Sequence, residues 1–244
     1  MRRVEHIMGL PISVDLRDGD AELAEKAFEW LREADARFSP FKPDSEVSRL
    51  DRGELTSQEL TPDLVEVLDL CAWYEQATGG AFKVRLPGRG LDPCAVVKGW
   101  AVERAGDVLL AGGARNFCLN AGGDVFASGE PEPGKPWRVG VRHPEEADKL
   151  CVVLAVRDGS VATSAFYERG QHIIDGRTGA PATGLLSLTV CAPDLTTADS
   201  TATAAFAMGA EGVEWAAAQE NCEVFAVLED RRVIQTAGLP VHLC

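Results

Sequence analysis

The 244-residue chain contains no run approaching the ~18 uninterrupted apolar residues that a membrane-spanning helix needs. Its start, Met1-Arg2-Arg3-Val4-Glu5-His6, leads into an alternating segment in place of an apolar signal core, so a cytoplasmic chain beginning at Met1, with no membrane span, is expected. Positive charge is scarce: 24 Lys and Arg face 38 Asp and Glu, a net charge of −14. The basic stripe that nucleic-acid binding needs for counterion release is missing, which argues against nucleic acid as a partner. The seven cysteines are scattered singly, without a Cys-x-x-Cys pair and with an odd total, so neither a zinc site nor a disulfide framework is signalled. Neither a Gly-x-Gly-x-x-Gly turn opening a βαβ unit nor a Walker sequence is present, which disfavours Rossmann and P-loop nucleotide sites.

What remains is 45% apolar and 25% charged, the composition of an ordinary globular protein, and one unit over residues 1–244 is the simplest organisation. A chain this acidic must meet any phosphate with local features. Those are backbone N–H groups at glycine turns, a few Lys or Arg, and a metal ion.

Residues 12–16 alternate like a strand, and Asp20 caps a helix whose Leu23, Ala27, Phe28, Leu31, Ala34 and Phe38 recur at helical spacing. Thr61-Pro62-Asp63 supplies an N-cap, an N1 proline and a first-turn acid for a second helix that stops at Gly79-Gly80. Residues 38–50 form a proline-bearing loop and a short capped turn, residues 85–92 a breaker-rich surface turn, and residues 97–110 a helix ending at Gly112-Gly113. Strand-like runs follow at 116–125, 137–141, 151–156, 171–174, 186–191 and 223–228, with an alanine-rich helix over 197–208. This order predicts an α+β fold with mixed or antiparallel sheets and flanking helices.

Four segments can carry chemistry. Asp199 and Thr203 are four apart at the start of an apolar helix and share one face, where two hard oxygens suit Mg²⁺ if a phosphate completes the shell; helix capping by Thr196, Thr197 or Asp199 explains the same spacing. Asn120-Ala121-Gly122-Gly123-Asp124 lets backbone approach a flat ring or a phosphate, and is also an ordinary hairpin turn or bulge. His172-Ile173-Ile174-Asp175-Gly176-Arg177-Thr178-Gly179 brings an imidazole beside an acidic–basic turn, as a base or as a structural histidine. Lys98-Gly99 puts a cation beside bare backbone near a helix start, which is also what a surface lysine looks like.

Read in order, these segments resemble the ApbE family of FAD:protein FMN transferases. The likeness is carried by Met8-Gly9; Phe38-Ser39 with residues 43–50; Asp92 followed by Lys98-Gly99-Trp100-Ala101-Val102; residues 120–124 with Ser128-Gly129; Thr163-Ser164 with Tyr167-Glu168-Arg169; residues 172–179 with Pro181; and Ala198-Asp199 through Thr203-Ala204. The resemblance implies an ApbE-like, T-fold-related architecture. It also implies Mg²⁺-dependent transfer of FMN from FAD to a Thr or Ser hydroxyl of an acceptor flavoprotein, with release of AMP. It casts Asp199, Thr203 and the Val97 carbonyl as metal ligands and His172 as the group that activates the hydroxyl. Met8, Lys98, Asn120, Ala121, Gly122, Gly123, Asp124, Ser164 and Asp175 would line the flavin or nucleotide.

The chain is similar to a shortened member. After Gly79-Gly80-Ala81-Phe82 the family pattern runs Asp-Pro-Thr and a long segment, whereas here Lys83-Val84-Arg85 leads almost at once to Asp92. Glu103, Gly176 and Leu10 stand where the pattern has Asp, Pro and Thr. FAD pyrophosphatase activity, giving FMN and AMP, and non-catalytic FAD binding are the alternative outcomes of the same site.

Overall fold

The computed structural model describes residues 1–86, 88–167 and 170–242. Strands β1 (Arg2–Ile7) and β2 (Leu10–Leu16) form a hairpin followed by helix α1 (Ala21–Phe38). Helices α2 (Glu46–Asp51), α3 (Pro62–Ala77) and α4 (Cys94–Ala111) follow. Next come β3 (Phe117–Ala121), β4 (Asp124–Ser128), β5 (Trp137–Arg142), β6 (Leu150–Val156) and β7 (Gly159–Ala165). The chain continues through the two-residue strands β8 (Ile174–Asp175) and β9 (Ala180–Pro181), then β10 (Leu185–Ala192). Helices α5 (Leu195–Met208) and α6 (Glu211–Ala217) precede β11 (Glu223–Leu228) and β12 (Val233–Gln235).

Eight strands make one antiparallel sheet in the order β1-β2-β3-β4-β7-β10-β11-β12, and β5 and β6 form a separate ribbon. Period-two alternation assigns the two faces. Ala162, Leu188, Val190, Val224 and Ala226 join the helix-side core, while Val161, Cys191, Phe225 and Val227 join a second core with Val139, Val141 and Leu154 of the ribbon. Because both faces are covered, the central strands lack the polar-out alternation of a half-solvated sheet.

Capping chemistry starts the helices where the sequence places it. The Asp20 carboxylate accepts from Leu23 N at 2.9 Å, and Thr61 Oγ1 accepts from Leu64 N with Pro62 next. Ala24, Ala27, Phe28, Leu31, Ala34 and Phe38 form the buried stripe of α1. Each large side chain in that stripe contributes roughly 1.5–3 kcal/mol by leaving water.

Some sequence expectations are corrected. The run 116–125 is not one strand: it breaks at Gly122 and Gly123, whose φ of 61° and 108° close a two-residue hairpin loop between β3 and β4. The run 171–174 is extended only at its end, because His172 N turns back to donate to Gly170 O at 2.8 Å. α5 is capped by Asp194, whose carboxylate accepts from Thr197 N at 2.7 Å, and not by Thr196, Thr197 or Asp199. The Asp199 carboxylate is thereby left for other work. Among the described residues no helix is long and apolar enough to cross a membrane.

Candidate active site

A cavity of about 830 Å³ opens at one end of the sheet, beneath two hairpin tips. One tip is Met8-Gly9, between β1 and β2; the other is Gly122-Gly123. They abut because β2 pairs with β3 in the register Ile12↔Ala121, and Gly122 N donates to Pro11 O at 3.1 Å. Helices α4 and α5 form the floor through Val97, Lys98, Asp199 and Thr203, and residues from the 38–42, 82–92 and 172–174 segments close the sides.

Lys98-Gly99-Trp100 shows how the floor is built. Successive helical residues point ~100° apart, so three neighbours on α4 face three environments. Trp100 is 1% exposed, 5.2 Å from the Phe38 ring, and donates through Nε1 to Glu66 at 3.1 Å. Gly99 faces α5, where a Cβ would lie 2.5 Å from Leu195 O and 2.9 Å from Asp199 Cβ, so the helices meet this closely only because residue 99 has no side chain. Lys98 points into the cavity, its Nζ 2.8 Å from Asp199 Oδ1 and in contact with Asp124 as well.

Both carboxylates are buried: Asp124 is 3% and Asp199 2% exposed. Asp124 also accepts from Thr163 N, and Asp199 from Gly99 N, each at 2.9 Å. Burial pushes the Asp199 carboxyl up to about 7 against the pull of Lys98, and Asp124 adds repulsion. Burial works against the Lys98 ammonium, yet the flanking Asp124 and Asp199 hold it above the usual lysine range. Two carboxylates share one ammonium, so the fully ionised cluster carries one uncompensated negative charge.

One helical turn beyond Asp199, Thr203 Oγ1 lies 3.2 Å from Ser164 Oγ on β7. Asp199, Thr203 and the Val97 carbonyl offer hard oxygen donors beside an anionic cluster, which suits Mg²⁺. No group of three or more His, Cys, Asp or Glu side chains that could hold a metal ion occurs among the described residues, so phosphate and water oxygens would have to complete the shell.

His172 is exposed at the cavity wall, with Nδ1 2.8 Å from Gly170 O. A carbonyl only accepts, so Nδ1 carries the hydrogen and Nε2 keeps the lone pair of a base.

Met8, Val97, Lys98, Ala121, Gly122, Asp124, Ser164, His172, Asp199 and Thr203 all line the one cavity. Asn120, Gly123 and Asp175 are not among its lining residues. Asn120 Oδ1 accepts from Gly123 N at 3.0 Å and so braces the hairpin, while Asp175 is turned to Arg177, which also reaches Glu211. The 85–92 segment is more than a surface turn, since Leu86, Arg89, Gly90 and Asp92 line the cavity. Sequence reasoning missed these, together with Asp35, Lys42 and Lys83, although three cations within residues 83–89 were a visible signal. Glu168 and Arg169 of the family-like motif lie outside the described residues.

The family model described as the ApbE family matches residues 8–88 and 83–226. The chain belongs to the ApbE family. It is similar to the FAD:protein FMN transferase of Haemophilus influenzae, 24% identical over 81% of this chain and 76% of that protein. The enzyme of the same name from Treponema pallidum is 34% identical, over 62% of this chain. That of Rhodobacter capsulatus is 33% identical over 68%. The chain spans only 47% and 33% of the lengths of these last two relatives. Among solved structures, the flavin transferase ApbE of Vibrio cholerae and the ApbE protein of Thermotoga maritima share the fold at a TM-score of 0.84, with 22% and 23% identity and 97% of each chain covered. The ApbE architecture is therefore present from the β1–β2 hairpin through the sheet, with the short 82–92 connection serving as a cavity wall.

Proposed function

We propose that this chain is an FAD:protein FMN transferase that moves FMN from FAD onto a Thr or Ser hydroxyl of an acceptor protein, with Mg²⁺ as the metal. The observation that carries the reading is the buried Lys98–Asp124–Asp199 cluster, short of one positive charge, beside Thr203 on the floor of a cavity roofed by two glycine-bearing hairpin tips. Relatives named for this activity are 24% and 34% identical to the chain over 81% and 62% of its length, which supports the same reading.

In this reading, Asp199, Thr203 and the Val97 carbonyl would hold Mg²⁺, which would supply positive charge to offset the charge developing on the departing AMP. Met8, Ala121, Gly122, Ser164 and Asp124 contact the flavin or nucleotide. Lys98 keeps the two carboxylates from repelling each other and fixes their geometry. Asn120, Gly123 and Asp175 support the hairpin and the 175–179 turn rather than touching substrate.

His172 takes the acceptor hydroxyl proton on Nε2. The acceptor oxygen bonds to the FMN-side phosphorus, the bond from that phosphorus to the bridging oxygen breaks, and AMP leaves with the bridging oxygen. Atoms and charge balance without an oxidant or any other co-reactant. Positioning and electrostatics supply the rate.

Intact-mass measurement of an acceptor bearing a Thr or Ser site, incubated with the chain, FAD and Mg²⁺, tests the reading. A gain of one FMN with equimolar AMP is expected. Tight FAD binding with no adduct would leave the non-catalytic alternative, and AMP with free FMN would leave the pyrophosphatase.

A further inference from the structure

Among the described residues, eight charged side chains line the cavity, four cations (Lys42, Lys83, Arg89, Lys98) and four carboxylates (Asp35, Asp92, Asp124, Asp199). Two of the cations are committed: Lys42 pairs with Asp35 at 2.5 Å, and Lys98 with Asp124 and Asp199. Of the carboxylates, Asp92 accepts from Cys94 N at 3.0 Å. Among the described residues, the Lys83 and Arg89 side chains have neither hydrogen bond nor ion pair.

Both come from the short 83–92 connection, which is pinned from outside the cavity. Arg85, the third cation of this segment, donates to Asp51 at 2.5 Å, and Leu91 N donates to the same carboxylate oxygen at 3.0 Å. Asp92 N closes the turn on Val84 O at 2.8 Å, and Arg89 N bonds Leu86 O at 3.0 Å. Arg85 thus anchors the turn while Lys83 and Arg89 are left on its cavity side.

Lys83 is half-buried, its stem held over two glycines. A Cβ on Gly176 would lie 2.8 Å from Lys83 Cγ and 2.9 Å from Cδ, and a Cβ on Gly80 3.6 Å from Cε. The 170–179 loop is tied to the same place by Gly176 N donating to Ala81 O at 2.8 Å. An unpartnered, partly desolvated ammonium in a built groove calls for an anion.

We propose that Lys83 and Arg89 hold the phosphates of the nucleotide substrate, forming the cationic wall opposite the acidic floor. The inference rests on the FAD reading above. A guest with two negative charges matches the two uncommitted cations, and the Arg89 guanidinium suits two phosphate oxygens at once. An acidic side chain of the acceptor fits less well, because the Lys83 stem lies inside the lining, packed against Gly80 and Gly176.

The test compares Kd for FAD and for riboflavin, which has no phosphate, by quenching of flavin fluorescence with the full chain and Mg²⁺. Lys83→Gln should raise the FAD Kd roughly tenfold and the more exposed Arg89→Gln roughly threefold, with riboflavin unchanged and Lys83→Arg retaining most of the affinity. FAD affinity unchanged in both Gln variants overturns the assignment, as does an equal loss for riboflavin. An unchanged FAD Kd with a raised KM for the acceptor also overturns it, in favour of an acceptor carboxylate. Should Lys83→Gln fail to fold, Arg89→Gln alone decides. A wild-type chain that binds riboflavin and FAD equally defeats this inference and leaves flavin binding intact, whereas one that binds neither defeats the functional reading itself.

Discussion

The Lys98 ammonium lies 2.8 Å from the Asp199 carboxylate across the α4–α5 interface, and among the described residues it is the one cation touching both buried acids of the cavity floor. Removing one member of a buried charge cluster leaves its partners uncompensated. Lys98→Met should therefore cost about 3 kcal/mol in urea unfolding, and the double variant Lys98→Met/Asp199→Asn less than the sum of the two single changes. A strictly additive cycle would show that the contact carries no coupling.

One turn along the same interface, Glu103 accepts from Thr196 N at 3.0 Å and from the Thr196 hydroxyl, tying α4 to the first turn of α5. Burial raises the Glu103 carboxyl above its ordinary value of 4.5, with the Thr196 bonds opposing. The folded state then holds this proton more tightly than the unfolded state does. Its contribution is fully present below about pH 4.5 and is lost as pH rises through the raised folded value. Glu103→Gln should flatten that part of the stability–pH curve in denaturant titrations at several pH values; an unaltered slope would exclude Glu103 as its source.

Met8 occupies the left-handed region at φ 55° in a two-residue hairpin loop, where Asn is favoured and methionine is not. Backbone strain at a cavity-lining side chain points to a contact that outweighs it. Met8→Asn should leave thermal stability equal or higher, by up to about 1 kcal/mol, while weakening FAD binding. Unchanged FAD affinity would reduce Met8 to a turn residue.

Gly99→Ala places a methyl 2.5 Å from Leu195 O, so α4 and α5 must part. A loss of roughly 1–3 kcal/mol in stability is expected, with a larger proportional loss of FMN transfer because Lys98 and Asp199 separate together. Transfer activity that simply tracks the folded fraction would argue against a geometric role for the helix contact.

Elements with local punctuation were legible from sequence: α1 from Asp20 and its apolar stripe, and α3 from Thr61-Pro62. β7 was not. Its Gly-Ser-Val-Ala-Thr-Ser-Ala run lacks bulk because the alanine-rich α5 packs against it, a tertiary reason that no window of sequence displays. β1 was hidden by its charges, Arg2, Arg3 and Glu5, two of which join an ion-pair network with Glu25 and Arg32 of α1. In the cavity, Lys98, His172, Asp199 and Thr203 were legible only because several motifs recur in family order. The cations of the 83–92 turn escaped because they sit where this chain departs from that order. Two of those departures, Lys83 and Gly176, are in contact, so the bare backbone at 176 is what lets the Lys83 stem lie there.

The two hairpin tips that roof the cavity are neighbours in space but lie more than a hundred residues apart in the chain, joined through the β2–β3 pairing of Ile12 with Ala121. A loop that long must close before the roof exists, and closing it costs chain entropy that no local contact offsets. The roof of the cavity thus depends on a contact that is long-range in sequence. Any ligand that needs both tips at once would therefore report that the β2–β3 pairing is in place.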